Sequence, residues 1–174
     1  MEQFGVVPDI LITAKGIANG FPLSAIVAGG DIMSRVKPGS VGGTYSGNAV
    51  ALAAGNAVID VLTDPQEGVL ANVNARGVQF RAGLADIQSR NPHFHIGDIR
   101  GRGLWNAIEF ADHPTTVGCA GKLVKAAYDQ QLLLMNAGIY ECIRFMPPLT
   151  ISEKEMTLAL TKLEKALNVV FPKA

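Results

Sequence analysis

Three residues carry reactive or strongly polar groups among neighbours that are apolar or glycine. Lys15 follows the apolar run Ile10-Leu11-Ile12 and is succeeded by Gly16 and Gly20. Most lysines are solvated, and a surface lysine at a strand end satisfies this pattern. So does a Schiff-base lysine, which needs a fixed, partly desolvated point on a rigid element to act as a nucleophile. Thr44 stands in Gly42-Gly43-Thr44-Tyr45-Ser46-Gly47-Asn48, just before a helix-like segment. Converging backbone N–H groups and a hydroxyl at a helix start suit a phosphate, although a plain glycine loop reads the same way. Arg144 lies in Cys142-Ile143-Arg144-Phe145. An arginine in an apolar strand wants an acid. Glu141 or Glu109 could supply an internal salt bridge, or a ligand carboxylate could meet the planar fork. Arg100 and Arg102 are weaker candidates of the same kind.

Other chemistries are poorly represented. The loop at Thr44 is neither GxxxxGK[ST] nor GxGxxG, and no Gly-x-Ser-x-Gly elbow occurs. His93, His95 and His113 have no metal-ligand spacing, so they read as surface or loop histidines and no metal site is expected. Cys119 and Cys142 form neither a CxxC motif nor a disulfide framework, which fits two reduced buried thiols in a cytoplasmic protein. The 174 residues include 15 basic and 15 acidic ones, with no basic block, which argues against nucleic acid or an anionic membrane as partner. No apolar run approaches the ~18 residues of a membrane span. The chain is 48% hydrophobic, with a mean hydropathy of +0.24, which leaves room for a partner-facing apolar surface.

The elements that must position these residues follow from periodicity. Ile10–Thr13 and Ser24–Ala28 are short apolar runs, predicted as buried strands. A small-residue helix is predicted over 48–62 and a longer one over 68–90, ended by Asn91-Pro92. Ile96–Ile99 and Leu104–Phe110 read as strands around a turn at Arg100–Gly103, with Trp105 expected in the core. A helix over 117–131 and strands at Leu132–Met135 and Cys142–Phe145 follow. Ser152 with Glu155 three residues on is a capping box opening a last helix striped by Met156, Leu160, Leu163 and Leu167.

Taken together, AKGIANGFPLSA, GGTYSGN, IGDIRGRGLWNAIEF and IRFMPPLTIS resemble the C-terminal portion of the class III pyridoxal-phosphate aminotransferases. Within that family the similarity is greatest to the 4-aminobutyrate aminotransferases. The intervals from Lys15 to Thr44 and to Arg144 fit the family's spacing, while Ala49 replaces the usual Asn-Pro. The resemblance implies an α/β fragment of fold type I. Residues 1–62 would be the end of the large cofactor domain, 63–93 a connecting helical segment, and 94–174 a small α+β C-terminal domain. It implies that Lys15 bonds to the aldehyde of pyridoxal 5'-phosphate and moves the substrate Cα proton. Gly43 and Thr44 would bind the cofactor phosphate, the threonine reaching the neighbouring subunit's site in a homodimer. Arg144 would hold the substrate carboxylate. The reaction implied is amino transfer from 4-aminobutyrate or a similar ω-amino acid to 2-oxoglutarate. An ornithine or diaminobutyrate aminotransferase, or a non-catalytic module derived from the small domain, is the alternative. Members of the family are more than twice this length, and their preceding segment supplies the aspartate that pairs with the pyridine nitrogen.

Overall fold

The computed structural model describes residues 1–173. The chain divides into two compact units, Met1–Glu67 and Gly68–Ala174.

In the first unit, β1 (Ile10–Thr13) pairs antiparallel with β2 (Ala25–Ala28), Ile10 opposite Ala28 and Thr13 opposite Ala25. The chain between them opens with a 3-10 turn, Lys15–Ala18. A short helix, α1 (Gly30–Met33), follows β2. Helix α2 (Ala49–Thr63) is started by Asn48, whose Oδ1 accepts from the N–H groups of Val50 (3.0 Å) and Ala51 (3.1 Å). Its buried residues are Ala51 and Gly55. A Cβ at Gly55 would sit 2.7 Å from the Leu23 side chain and 3.6 Å from the Ile17 carbonyl oxygen, so α2 lies close against the turn that begins at Lys15. The sequence suggested buried strands here, and the structure corrects that: Ile12 is 72% and Val27 56% exposed. A two-stranded ladder has no further strand to shield its faces.

In the second unit, α3 (Val69–Arg90) leads into a four-stranded antiparallel sheet of order β3-β4-β6-β5. The strands are β3 (Ile96–Arg102), β4 (Trp105–Phe110), β5 (Met135–Asn136) and β6 (Cys142–Phe145), and α4 (Cys119–Asp129) lies between β4 and β5. Alternation sends Ile108, Phe110, Ile143 and Phe145 into a core with Phe80 and Leu84 of α3, Leu123 of α4, and Met156 and Leu163 of the last helix. Phe80 and Phe145 meet edge to face, with centroids 4.9 Å apart. The helix at 69–90, which the sequence set apart as part of a connecting segment, therefore packs with this unit from Gly68 onward.

Three local expectations change. β3 runs on to Arg102, so the reversal is Gly103-Leu104 and Arg100 belongs to a strand. Trp105 is 69% exposed, because strand parity puts it on the face opposite Asn106 and Ile108. The strand foreseen at Leu132–Met135 is only Met135–Asn136, the two residues that face Ile143 and Arg144.

The last helix, α5 (Glu153–Val170), carries the expected capping box. Glu155 N–H donates to Ser152 Oγ (3.2 Å), and Ser152 N–H donates to Glu155 Oε2 (2.8 Å), which holds the Glu155 carboxyl below its ordinary range. Ser152→Ala is expected to lower stability by about 1 kcal/mol. Because the Glu155 pKa is depressed by folding, its part in the cap is present above the unfolded value and is lost as pH falls through the folded one. Urea unfolding of the variant across that range checks this, and an unchanged midpoint at pH 7 would show the cap to be idle.

Candidate active site

Lys15 sits where β1 stops. Ala14 is still extended (φ −160°), and Lys15 turns into the left-handed region at φ +58°. A non-glycine residue there costs of order ~1–3 kcal/mol and persists only where its surroundings enforce it. Here the enforcement comes from the ladder on one side and, on the other, the Lys15–Ala18 turn packed under α2 with Ala18 fully buried. The side chain is exposed and lines an open groove with Gly16, Asn19, Gly20, Phe21, Pro22 and Leu23. The sequence led us to expect partial burial of this amine; in the structure it is accessible.

Gly43 and Thr44 lie in the turn before α2, where the Gly43 carbonyl accepts from Ser46 N–H (2.9 Å) and the Tyr45 carbonyl from Asn48 N–H (3.2 Å). Thr44 is exposed. Asn48 already engages two of the first N–H groups of α2, so an anion here would rely on the turn's own N–H groups and the Thr44 hydroxyl rather than on the bare helix end. Lys15, Gly43 and Thr44 thus lie in the first unit, and Arg144 in the second.

Arg144 is half-buried on β6, beside Ala107 of β4 on one flank and Met135 of β5 on the other. Its Nη2 donates to Met135 Sδ at 3.7 Å, and its Nε is buried with no hydrogen-bond partner. Both acids considered for it from sequence are engaged elsewhere. Glu109 accepts from Arg100 Nη2 at 2.6 Å. Glu141 accepts from the N–H groups of Ala120 (2.8 Å) and Gly118 (2.7 Å) at the start of α4, and those bonds hold its carboxyl below the ordinary range. Among the described residues no acid pairs with this guanidinium, and such a fork suits an anion.

Arg100, rated a weak candidate from sequence, is the centre of an ion network. It donates to Asp98 Oδ2 (2.5 Å) and Glu109 Oε2 (2.6 Å), and its Nη2 lies 3.8 Å from Cys142 Sγ. The signal in the sequence was the period-two spacing of Asp98, Arg100 and Arg102, which places all three on one strand face. Cys142 beneath it is 4% exposed, and burial raises its thiol pKa. Burial and the nearby Glu141 charge push Cys119 up to about 12, and both cysteines are free and buried. His95 and His113 are stacked with centroids 4.0 Å apart, and His93 and His95 lie half-buried in the connection between α3 and β3, a loop position as expected. Burial, then the neighbouring histidines, lower the His95 pKa. Among the described residues no group of three or more His, Cys, Asp or Glu could hold a metal ion, and no helix is long and apolar enough to cross a membrane.

The fold is shared with pyridoxal-phosphate enzymes of fold type I, as a mixed α/β fragment. The structure of ornithine aminotransferase from Toxoplasma gondii ME49 matches with a TM-score of 0.85 and 31% identity, over 97% of this chain and 39% of that one. Acetylornithine aminotransferase from Elizabethkingia anophelis matches with a TM-score of 0.83 and 32% identity, over 95% of this chain and 42% of that one. The family Aminotransferase class-III matches residues 1–167, and the chain belongs to that family, whose members depend on pyridoxal phosphate. Acetylornithine aminotransferase of Nostoc sp. is 41% identical over 170 residues, 97% of this chain and 38% of its own length. 4-Aminobutyrate aminotransferase GabT of Escherichia coli is 38% identical over 165 residues, 92% of this chain and 38% of its own. The chain spans about two fifths of the length of the curated relatives it matches.

Proposed function

We propose that this chain provides the reactive lysine, a phosphate-binding loop and the carboxylate anchor of a transaminase that moves an amino group from an ω-amino acid to 2-oxoglutarate. The observation that carries this reading is Arg144, whose Nε is buried and unpaired while Glu109 and Glu141 are both committed elsewhere. Similar proteins are named for acetylornithine, 5-aminovalerate and 4-aminobutyrate, compounds that pair a carboxylate with a nitrogen far along the chain. 4-Aminobutyrate is the donor favoured by the motifs; acetylornithine is the second reading, favoured by the 41% identity.

The donor set fits pyridoxal phosphate: an accessible primary amine on a rigid strand end, and a glycine–threonine turn with free N–H and hydroxyl groups. Bound there, the cofactor supplies an aldehyde and an electron sink. Lys15 Nζ would hold the cofactor through that aldehyde and would move the proton of the substrate carbon that bears the amine. Gly43 and Thr44 bind the phosphate, in a homodimer that of the partner's site. The Arg144 fork would hold the substrate by its carboxylate.

Arg144→Lys tests the reading. Lysine keeps the charge but loses the planar fork, and 2-oxoglutarate binding is expected to weaken about tenfold, or ~1.4 kcal/mol. Calorimetric or NMR titration measures it. Equal affinity in the two proteins would reduce Arg144 to a structural residue.

A further inference from the structure

Strand register on the open face of the second unit's sheet poses a question about Arg144. Ala107 of β4 faces Arg100 of β3 on one side and Arg144 of β6 on the other. Glu109, two residues along β4, faces Asp98 on one side and Cys142 on the other. Glu109 is therefore the diagonal neighbour of both arginines, on the same face. Such diagonals span about 7–8 Å between backbones, within reach of long side chains. Glu109 could pair with either arginine, and it pairs with Arg100.

The reason is geometric. Arg100 also donates to Asp98 and extends across β4 until its Nη2 lies 3.8 Å from Cys142 Sγ, over the strand that carries Arg144. Two acids grip one guanidinium, and the second of them is the carboxylate that register sets diagonal to Arg144. Arg144 is left with Met135 Sδ and an unpaired Nε.

We propose that Arg100 is a positioning residue: by holding Glu109 it keeps the Arg144 guanidinium open to a ligand carboxylate. The ligand half of this statement rests on the reading of Arg144 given above; the side-chain half does not. Removing Arg100 releases Glu109, which then swings along its diagonal and closes Arg144 from within the chain. The other charged group presented by β3 on this face is Arg102, which repels neither acid.

The test uses the whole chain with 15N-labelled arginine, following the Arg144 Nε–H resonance and the affinity for 2-oxoglutarate. Arg100→Gln is expected to move the resonance and to weaken 2-oxoglutarate about fivefold, the strength of an exposed cross-strand ion pair competing for one site. Adding Glu109→Gln is expected to return both readouts to those of the parent, which loss of a merely structural arginine would not do. If Arg100→Gln does not fold, Arg100→Lys is read in the same way, with a smaller shift that Glu109→Gln cancels. An Arg144 resonance that does not move, or that the second substitution does not restore, overturns the proposal. If the resonance moves and is restored but 2-oxoglutarate never affects it, the positioning role stands and the carboxylate-anchor reading falls.

Discussion

Replacing Lys15 with alanine is expected to abolish the pyridoxal phosphate that borohydride fixes at this position, and in the assembled enzyme to slow amino transfer by about 10³-fold or more. Lys15 is the lysine at the end of β1, and the turn that follows is held by α2. Peptide mass mapping of the reduced chain is the measurement. Label on Lys15 that disappears in the variant supports the assignment; label spread over Lys37, Lys122, Lys125 and Lys154, with Lys15 unmodified, defeats it. A stability control separates chemistry from folding. Lys15 holds φ +58°, a conformation that costs glycine nothing and alanine roughly 1 kcal/mol or more. Lys15→Gly is therefore expected to be the more stable of the two variants while being equally unable to retain label. If alanine and glycine behave alike in thermal unfolding, the backbone at residue 15 is not held where the structure has it.

The chemical identity of the candidate residues was legible in the sequence, because an amine after an apolar strand and a guanidinium inside one are anomalies of residue type. Their conformations were not. Nothing in a hydrophobic pattern says that Lys15 is left-handed, nor that Ile17 and Leu23 of the following segment lie against Gly55, a contact between segments far apart in sequence. Helices closed by their own side chains were read well: Ser152 with Glu155 opens α5 as the spacing required, and Asn48 starts α2. Strand lengths failed where glycine intervened, since Gly101 keeps β3 going at φ +149°, a conformation that looks like a turn in sequence. Trp105 failed for a different reason: hydrophobicity said core, parity said the opposite face, and register decided. Register leaves Glu109 diagonal to both Arg100 and Arg144, and the side-chain network with Asp98 gives it to Arg100.

Two helical glycines on α3 and α4 make the last expectation, with opposite signs. Gly77 is buried on α3, and a Cβ there would overlap the carbonyl oxygen of Gly103 and lie 2.7 Å from its carbonyl carbon. That carbonyl cannot step aside, because it accepts from Arg81 Nη1 (3.1 Å) and from Asn106 Nδ2 (3.0 Å), and Gly103 itself lies against Val73 with φ +50°. Helix and hairpin are thus in backbone contact, and the missing side chain is the condition for it. Gly77→Val gains a few tenths of a kcal/mol in helix propensity but must force α3 away from the β3–β4 reversal, a net loss of about 3 kcal/mol. β3 runs into the displaced reversal with Arg102 at its end and Arg100 two residues before, so the Arg144 resonance should move as well. Gly121 on α4 is exposed and has open space where a Cβ would go. There the backbone entropy of glycine is an unopposed cost, and Gly121→Ala is expected to stabilise the chain by about 0.5–1 kcal/mol. Denaturant unfolding of the two variants measures both. If Gly77→Val is tolerated as well as Gly121→Ala, α3 does not touch the hairpin, and the geometry that sets Arg100 over the sheet would have to be drawn again.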